Sequence, residues 1–592
     1  MTRRAAFVVA SALALAMCLA AAARAAESVL AIVPSDALFV ELVKNLSDAD
    51  AKIHKLEGLV QAPPGDLRDL LRSDPGVDRG VDEKGTLVVI VLAGDGDKEP
   101  AAILAVPVAD YQQLVGQLPQ AKPDGRIVKF KPPHGPAGVA ARRGDYVLFT
   151  EGSDRKSLEK VLDAKQSVAG ELAPIEPWLA ENDAAFVATR AGIRWAAAKG
   201  QAELKKAKKD AEDLPGDAGG SADTARSVLG FYDQALALAE KEVALAAVGI
   251  AVDEQSAVRV TGRVRFVKDS KFGESLAAIK PADQDLMAGL PGGPFVFAFG
   301  GPTPEPLMKR LTAMGAGFVQ ECFSRYGVTP EQAGQLAKIS LQSLEQTRAL
   351  WLVAKTGKRG EPIFGNIFAT FRVDNAPQHL EQYEKDTEAQ NRIVKGAKQS
   401  GVKFAEVKKT QIGGRPALEV EETVPLTKAE SEDPAQQAMM QAWFGPNYKM
   451  TTYLAAANET TVVEGLGTTP QKVGEVIEMV RSAKPGLAAD KDVAATAALL
   501  PAGAQWVAYF SPRGCVGIVR RMMQAEMAAT PPGAPLFMPQ LPPFPQTPPV
   551  GLAVKAASSG LEASIVVPAA IPKAIGEYIA TINQAEENPQ IP

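Results

Sequence analysis

One short pattern occurs four times in the 592 residues: a turn residue, a small residue, an aromatic side chain and valine, running on into apolar positions. The copies are Asp36-Ala37-Leu38-Phe39-Val40, Asp183-Ala184-Ala185-Phe186-Val187, Gly293-Pro294-Phe295-Val296 and Gly503-Ala504-Gln505-Trp506-Val507. One copy alone is a weak strand signal. Internal recurrence constrains a fold more than any single motif, because each copy must solve the same burial problem. The sequel is shared as well. A helical region follows each copy, at 51–60 and 67–72, at 193–212 and 224–242, at 305–326 and 330–347, and at 516–529. Then come two β-rich runs joined by turn formers: 86–93 with 101–108, 243–252 with 257–267, 349–354 with 363–373, and 550–557 with 561–567. All four read as β-hairpins.

A helix is expected after each hairpin, and three begin at residues able to accept from unpaired first-turn amides: Asp110, Asp269 or Ser270, and Asp374 or Asn375. The repeating order is strand, helix or helix pair, strand, strand, helix. Residues 126–152 and 403–465 add strands to the first and third copies. The expected architecture is α+β, with four related modules, antiparallel sheets and helices on one face. Its boundaries are 26–170 (long), 171–287 (short), 288–485 (long) and 486–592 (short, with a Pro-rich loop at 531–549).

Residues 1–25 read as targeting sequence. Arg3 and Arg4 precede an apolar run to Ala23, and Ala23-Arg24-Ala25 supplies a small-residue cleavage site, so export to the periplasm or beyond is expected. Cleavage would also remove three arginines and make the net charge of −5 more acidic. No later stretch has the roughly 18 uninterrupted apolar residues of a membrane span, so none is expected in the mature chain. A composition 46% hydrophobic and 22% charged belongs to a folded protein. The acidic balance argues against a nucleic-acid partner, which would demand a basic surface.

Known chemistry is scarce. Three histidines (His54, His134, His379) and three cysteines cannot build several metal sites, and no P-loop, nucleophile elbow, His-Glu-x-x-His or paired Cys-x-x-Cys occurs. No catalytic, metal or cofactor residues are assigned. Asp95, Asp97 and Glu99 lack the remaining positions of a calcium loop and read as a hairpin turn. Arg143-Gly144-Asp145 likewise reads as a turn, although it spells an adhesion tripeptide. Asn45-Leu46-Ser47 and Asn458-Glu459-Thr460 match the glycosylation pattern. The basic run 205–209 reads as a solvated helix face. Cys322 and Cys515 remain after cleavage and are a candidate disulfide, against two separate thiols.

The most distinctive segment is 531–549, whose nine prolines forbid helix and favour extended backbone. Leu536, Phe537, Met538, Leu541 and Phe544 need cover there. With Met522, Met523 and Met527 on the preceding helix they form either a fixed loop or a strip for a partner or ligand.

Near the N-terminus stand Pro34-Ser35-Asp36-Ala37-Leu38-Phe39-Val40 and Gly80-Val81-Asp82. This layout resembles large exported bacterial proteins classed as domains of unknown function. They carry a signal peptide, Pro-x-Asp-Ala-x-x-Phe/Val, a helical segment and Gly-x-Asp before the next strand. Its motifs are structural turns, so the resemblance carries no activity or catalytic residues across. The sequence is therefore read as an exported, non-enzymatic protein that binds or scaffolds, with an unknown protein or a hydrophobic ligand as partner. The alternatives are a carrier of a hydrophobic ligand with the Pro-rich strip as lid, and a hydrolase without a familiar motif.

Overall fold

The computed structural model describes residues 29–587 except 64, 74, 95–98, 133, 213–220, 254–256, 278, 280–286, 288, 306–307, 310–315, 317–318, 321–322, 324–327, 358–360, 364, 396–404, 424–425, 427–431 and 530–540. The expected targeting segment, the turn expected at Asp95–Asp97 and Cys322 thus lie outside the described residues. The chain divides into two compact units. The first holds residues 1–199, 239–268 and 559–576, and the second holds 200–238, 269–558 and 577–592.

Unit 1 contains β1 (Phe39–Val43), β2 (Leu87–Leu92), β3 (Ala101–Pro107), β4 (Lys122–Asp124), β5 (Ile127–Phe130), β6 (Gly138–Arg143), β7 (Tyr146–Glu151), β8 (Ala184–Ala188), β9 (Val243–Val252) and β10 (Val258–Phe266). Unit 2 contains β11 (Phe295–Pro302), β12 (Thr347–Lys355), β13 (Ile367–Val373), β14 (Ala405–Ile412), β15 (Arg415–Thr423), β16 (Lys449–Ala456), β17 (Thr461–Leu466), β18 (Trp506–Phe510) and β19 (Val550–Ala557). The last strand, β20 (Gly560–Val567), returns to unit 1.

Unit 1 pairs its strands in the order β4-β5-β6-β7-β3-β2-β1-β8-β9-β10-β20, every pair antiparallel. Unit 2 runs β14-β15-β16-β17-β13-β12-β11-β18-β19, again antiparallel throughout. Adding ten to each strand number from β4 to β9 in the first order produces the second. The α+β class and its antiparallel strands are therefore present as expected.

The expectation of helices on one face needs correction. In unit 1, Val40, Leu42, Val88 and Ile90 pack on one side with Leu158, Leu172 and Trp178, which stand on the helices Arg155–Asp163, Ala169–Leu172 and Glu176–Glu181. On the other side Val43, Val106, Val147 and Phe149 pack with Ile53, Leu71 and Leu114 of the helices Leu46–Val60, Leu67–Ser73 and Tyr111–Val115. Unit 2 does the same. Val473 and Val476 of the helix Pro470–Arg481 join one core, and Leu380 of the helix Ala376–Lys395 joins another. The physical reason lies in strands such as Leu87–Leu92, Leu-Val-Val-Ile-Val-Leu. A run without polar alternation must be covered on both sides.

Local chemistry settles the cap alternatives. Asp110 Oδ1 accepts from the Gln113 amide at 3.0 Å, Ser270 Oγ from Gly273 at 2.9 Å and Asn375 Oδ1 from Gln378 at 2.9 Å. Asp374 is engaged instead by Arg348, at 2.7 Å.

Two further devices occur once in each unit. At the head of β8 the Asp183 amide donates to Ile250 O while its Oδ2 accepts from Val252 N at 3.2 Å. At the head of β18 the Gln505 amide donates to Val554 O, and its side chain exchanges two hydrogen bonds with Ala556. Past the strands, Thr189 and Ser511 cap the helices Arg190–Glu212 and Pro512–Ala529 by accepting from Gly192 and Gly514, both at 3.1 Å. The amides of Thr189 and Ser511 reach Leu38 O and Val296 O. These contacts align Phe39 with Phe297 and Phe186 with Ala508. The aromatic-Val motif alone aligns them two residues away, a slip that leaves each side chain on its face and so is invisible to alternation.

Candidate functional site

With both registers in place, the side chains of one transverse row in unit 1 can be read from β5 to β20: Val128, Ala140, Phe149, Leu104, Val89, Glu41, Phe186, Val248, Gly262 and Ala563. Glu41 is its single ionisable member. It is 7% exposed, and burial holds its carboxyl above the usual carboxylate range. Neither a hydrogen bond nor an ion pair to another described residue engages it. Burying such a group without a partner costs free energy.

Aromatic rings crowd the same side. Phe39 lies two residues from Glu41 along β1, and Phe186 is its register partner on β8. The two rings stack at 5.5 Å between centroids and 23° between planes. Trp195, on the helix Arg190–Glu212, meets Phe39 edge-on at 5.9 Å. That helix is drawn close because Gly192 carries no side chain; a Cβ there would stand 1.9 Å from Leu38 O.

Beyond Phe186 the face opens. Phe186 is 39% exposed, Val248 48% and Ile565 38%, and the remaining positions on this side of β9, β10 and β20 include half-buried Ile250, Val260, Val264 and Leu561. From β8 to β20 this side carries no polar side chain, whereas the other side of β10 carries Arg259, Thr261, Arg263 and Arg265. A contiguous exposed apolar surface of this kind marks a place of interaction.

The corresponding row of unit 2 reads Leu418, Leu454, Glu464, Ala369, Leu352, Phe299, Ala508 and Leu552. It too has one carboxyl, at a different strand. Phe299 stands where unit 1 has Glu41, and Glu464 stands where unit 1 has Phe149. Burial pushes Glu464 up to about 7. Its proximity, with that of Glu422, adds to burial in raising the Tyr383 phenol.

A separate polar cluster is a structural joint. Asp183 is fully buried, 3.8 Å from Lys52 Nζ, which also holds Asp48 at 3.2 Å. Lys44 donates to the carbonyls of Leu179 and Ala180 at the end of the helix Glu176–Glu181. Burial pushes Asp183 up to about 7 against the pull of both lysines.

The strip residues do not form this face. Met522, Met523 and Met527 are half-buried on the helix Pro512–Ala529, which packs on the helix Pro434–Phe444 and on β11. Phe544 is buried with its ring centroid 5.1 Å from Tyr578, whose hydroxyl donates to Pro542 O at 2.9 Å. Leu541 is half-buried, Gln546 donates to Asp492, and Thr496 donates to Pro549 O. Residues 541–549 are thus fastened down. Leu536, Phe537 and Met538 lie outside the described residues, as does Cys322, while Cys515 is an exposed free thiol.

Other candidates resolve locally. Gly144 adopts φ 58° in the turn between β6 and β7, Asn45 caps the helix Leu46–Val60, and Lys208 pairs with Asp233 at 2.7 Å. Among the described residues no group of three or more metal-ligating side chains occurs, and no helix is long and apolar enough to cross a membrane. No protein-family model, curated protein or solved structure matches the chain.

No motif singles out Glu41, although the sequence carries one signal: in Phe39-Val40-Glu41-Leu42-Val43 a charge interrupts an otherwise apolar run. Val248, inside a ten-residue strand of small and apolar residues, carried no such mark.

Proposed function

We propose that this protein is exported and acts by binding rather than turnover, holding an apolar ligand on the open side of β8, β9, β10 and β20. The observation that carries this reading is the half-exposed apolar face around Phe186, Val248 and Ile565. Water-exposed hydrocarbon on a sheet is costly at about 25 cal/mol per Å², so it is kept where a ligand covers it. The targeting sequence and the lack of catalytic motifs agree with the reading. The single strand order shared by both units supports an origin in duplicated long and short modules.

Native mass spectrometry of the protein purified from envelope extract tests this. The expected result is a bound apolar mass that is lost in Val248→Asp. Wild-type protein that stays ligand-free after incubation with the extract rejects the proposal.

A further inference from the structure

The ligand's chemistry can be taken further, on the premise that the unit 1 face binds one. Glu41 sits at the inner end of that face with no partner among the described residues, where unit 2 accommodates Phe299. Hydrocarbon therefore suits the position, and the carboxyl must answer to something other than packing. Its neighbours across the strands are Val89 and Phe186, and its neighbours along β1 on this side are Phe39 and Val43. The arginines of β10 point to the opposite side of the sheet. A lone acid among rings, with no charged neighbour acting on it among the described residues, complements a cation and repels an anion. Aromatic faces attract ammonium groups in the same way. Stacking against Phe39 occupies one face of the Phe186 ring, and the residue is still 39% exposed. Next to it Gly262 leaves a gap, since the nearest atom to a Cβ there would be 3.8 Å away.

We propose that Glu41, Phe39, Phe186 and Trp195 form a subsite for the ammonium head of an amphiphile whose apolar chain lies along Val248, Gly262 and Ile565. The carboxylate neutralises the head, the rings shield it, and the strands supply the apolar floor.

Titration of the full chain with decyltrimethylammonium, decyl sulfate and decanol, each below its aggregation concentration, tests the assignment by calorimetry. The expected result is binding of the ammonium compound at least about tenfold tighter than of the other two. Glu41→Gln should abolish that preference while retaining the decanol affinity, and Phe186→Ala should weaken all three. Glu562→Gln removes an equal charge on the other side of β20 and should change nothing. Circular dichroism melting verifies that Glu41→Gln is folded. Equal affinity for the three probes, or a preference that survives Glu41→Gln, overturns the ammonium subsite but leaves apolar binding standing. Absence of binding by all three overturns both.

Discussion

Glu464 shows what a carboxyl does when a sheet places it among hydrocarbons. Its pKa is pushed from 4.5 to about 7 by burial, with no charged partner to offset the shift. Between those two values the unfolded chain has already released a proton that the folded chain retains. Stability therefore falls as pH rises across this window, and the cost is complete above about pH 7. At 1.36 kcal/mol per unit the full effect is on the order of 3 kcal/mol. Glu464→Gln keeps the shape without the titration. The variant should match wild type near pH 4.5 and exceed it by about 2–3 kcal/mol at pH 8 in urea unfolding. Asp183 titrates in the same direction and is present in both proteins, so it cancels in the difference. A wild-type-to-variant gap that is constant from pH 4.5 to 8 would exclude this assignment.

Among the elements, the helix Pro512–Ala529 ties packing to one glycine. Its Ser511 cap directs the first turn onto β11, where a Cβ at Gly514 would come within 2.2 Å of Phe295 O. Gly517, one turn along the same helix, has no atom within 4 Å of the corresponding position. Gly514→Ala must push the helix away from a backbone carbonyl, which costs about 1–3 kcal/mol or more. Gly517→Ala gains helix propensity of up to about 1 kcal/mol. Thermal melts should therefore move in opposite directions for two identical substitutions three residues apart. Equal shifts would mean that the helix does not rest on the strand. The cap and the hairpin strands are legible from local chemistry: Asp110 caps its helix as expected, and strands lie over each pair of β-rich runs joined by turn formers. The glycine's reason is not, because it lies in a carbonyl more than two hundred positions away in the chain.

At the level of the whole molecule, the limits of the sequence reading follow from the same distances. The pairing of Glu41 with Phe186 joins strands with six others between them in the chain, and that of Phe186 with Val248 spans the helices Arg190–Glu212 and Ser221–Glu242, so no local period displays the row. Helices on one face is the wrong expectation for strands such as Leu87–Leu92, whose lack of polar positions already calls for cover on both sides. The placement of β20 is the clearest case. It follows β19 directly in sequence, and it pairs along β10 from Val258 to Arg265 in unit 1. An unpaired strand edge loses its ladder hydrogen bonds and opens more readily. A chain ended at Ser558 should therefore exchange amide hydrogens faster across residues 243–266, nearly three hundred positions upstream of the cut. Strands β14 and β15, at the opposite end of unit 2's order, should keep their wild-type rates. Exchange that is unchanged in 243–266, measured by mass spectrometry on the truncated chain, would remove β20 from the unit 1 sheet. It would also remove Ile565 from the apolar face on which the binding proposal depends.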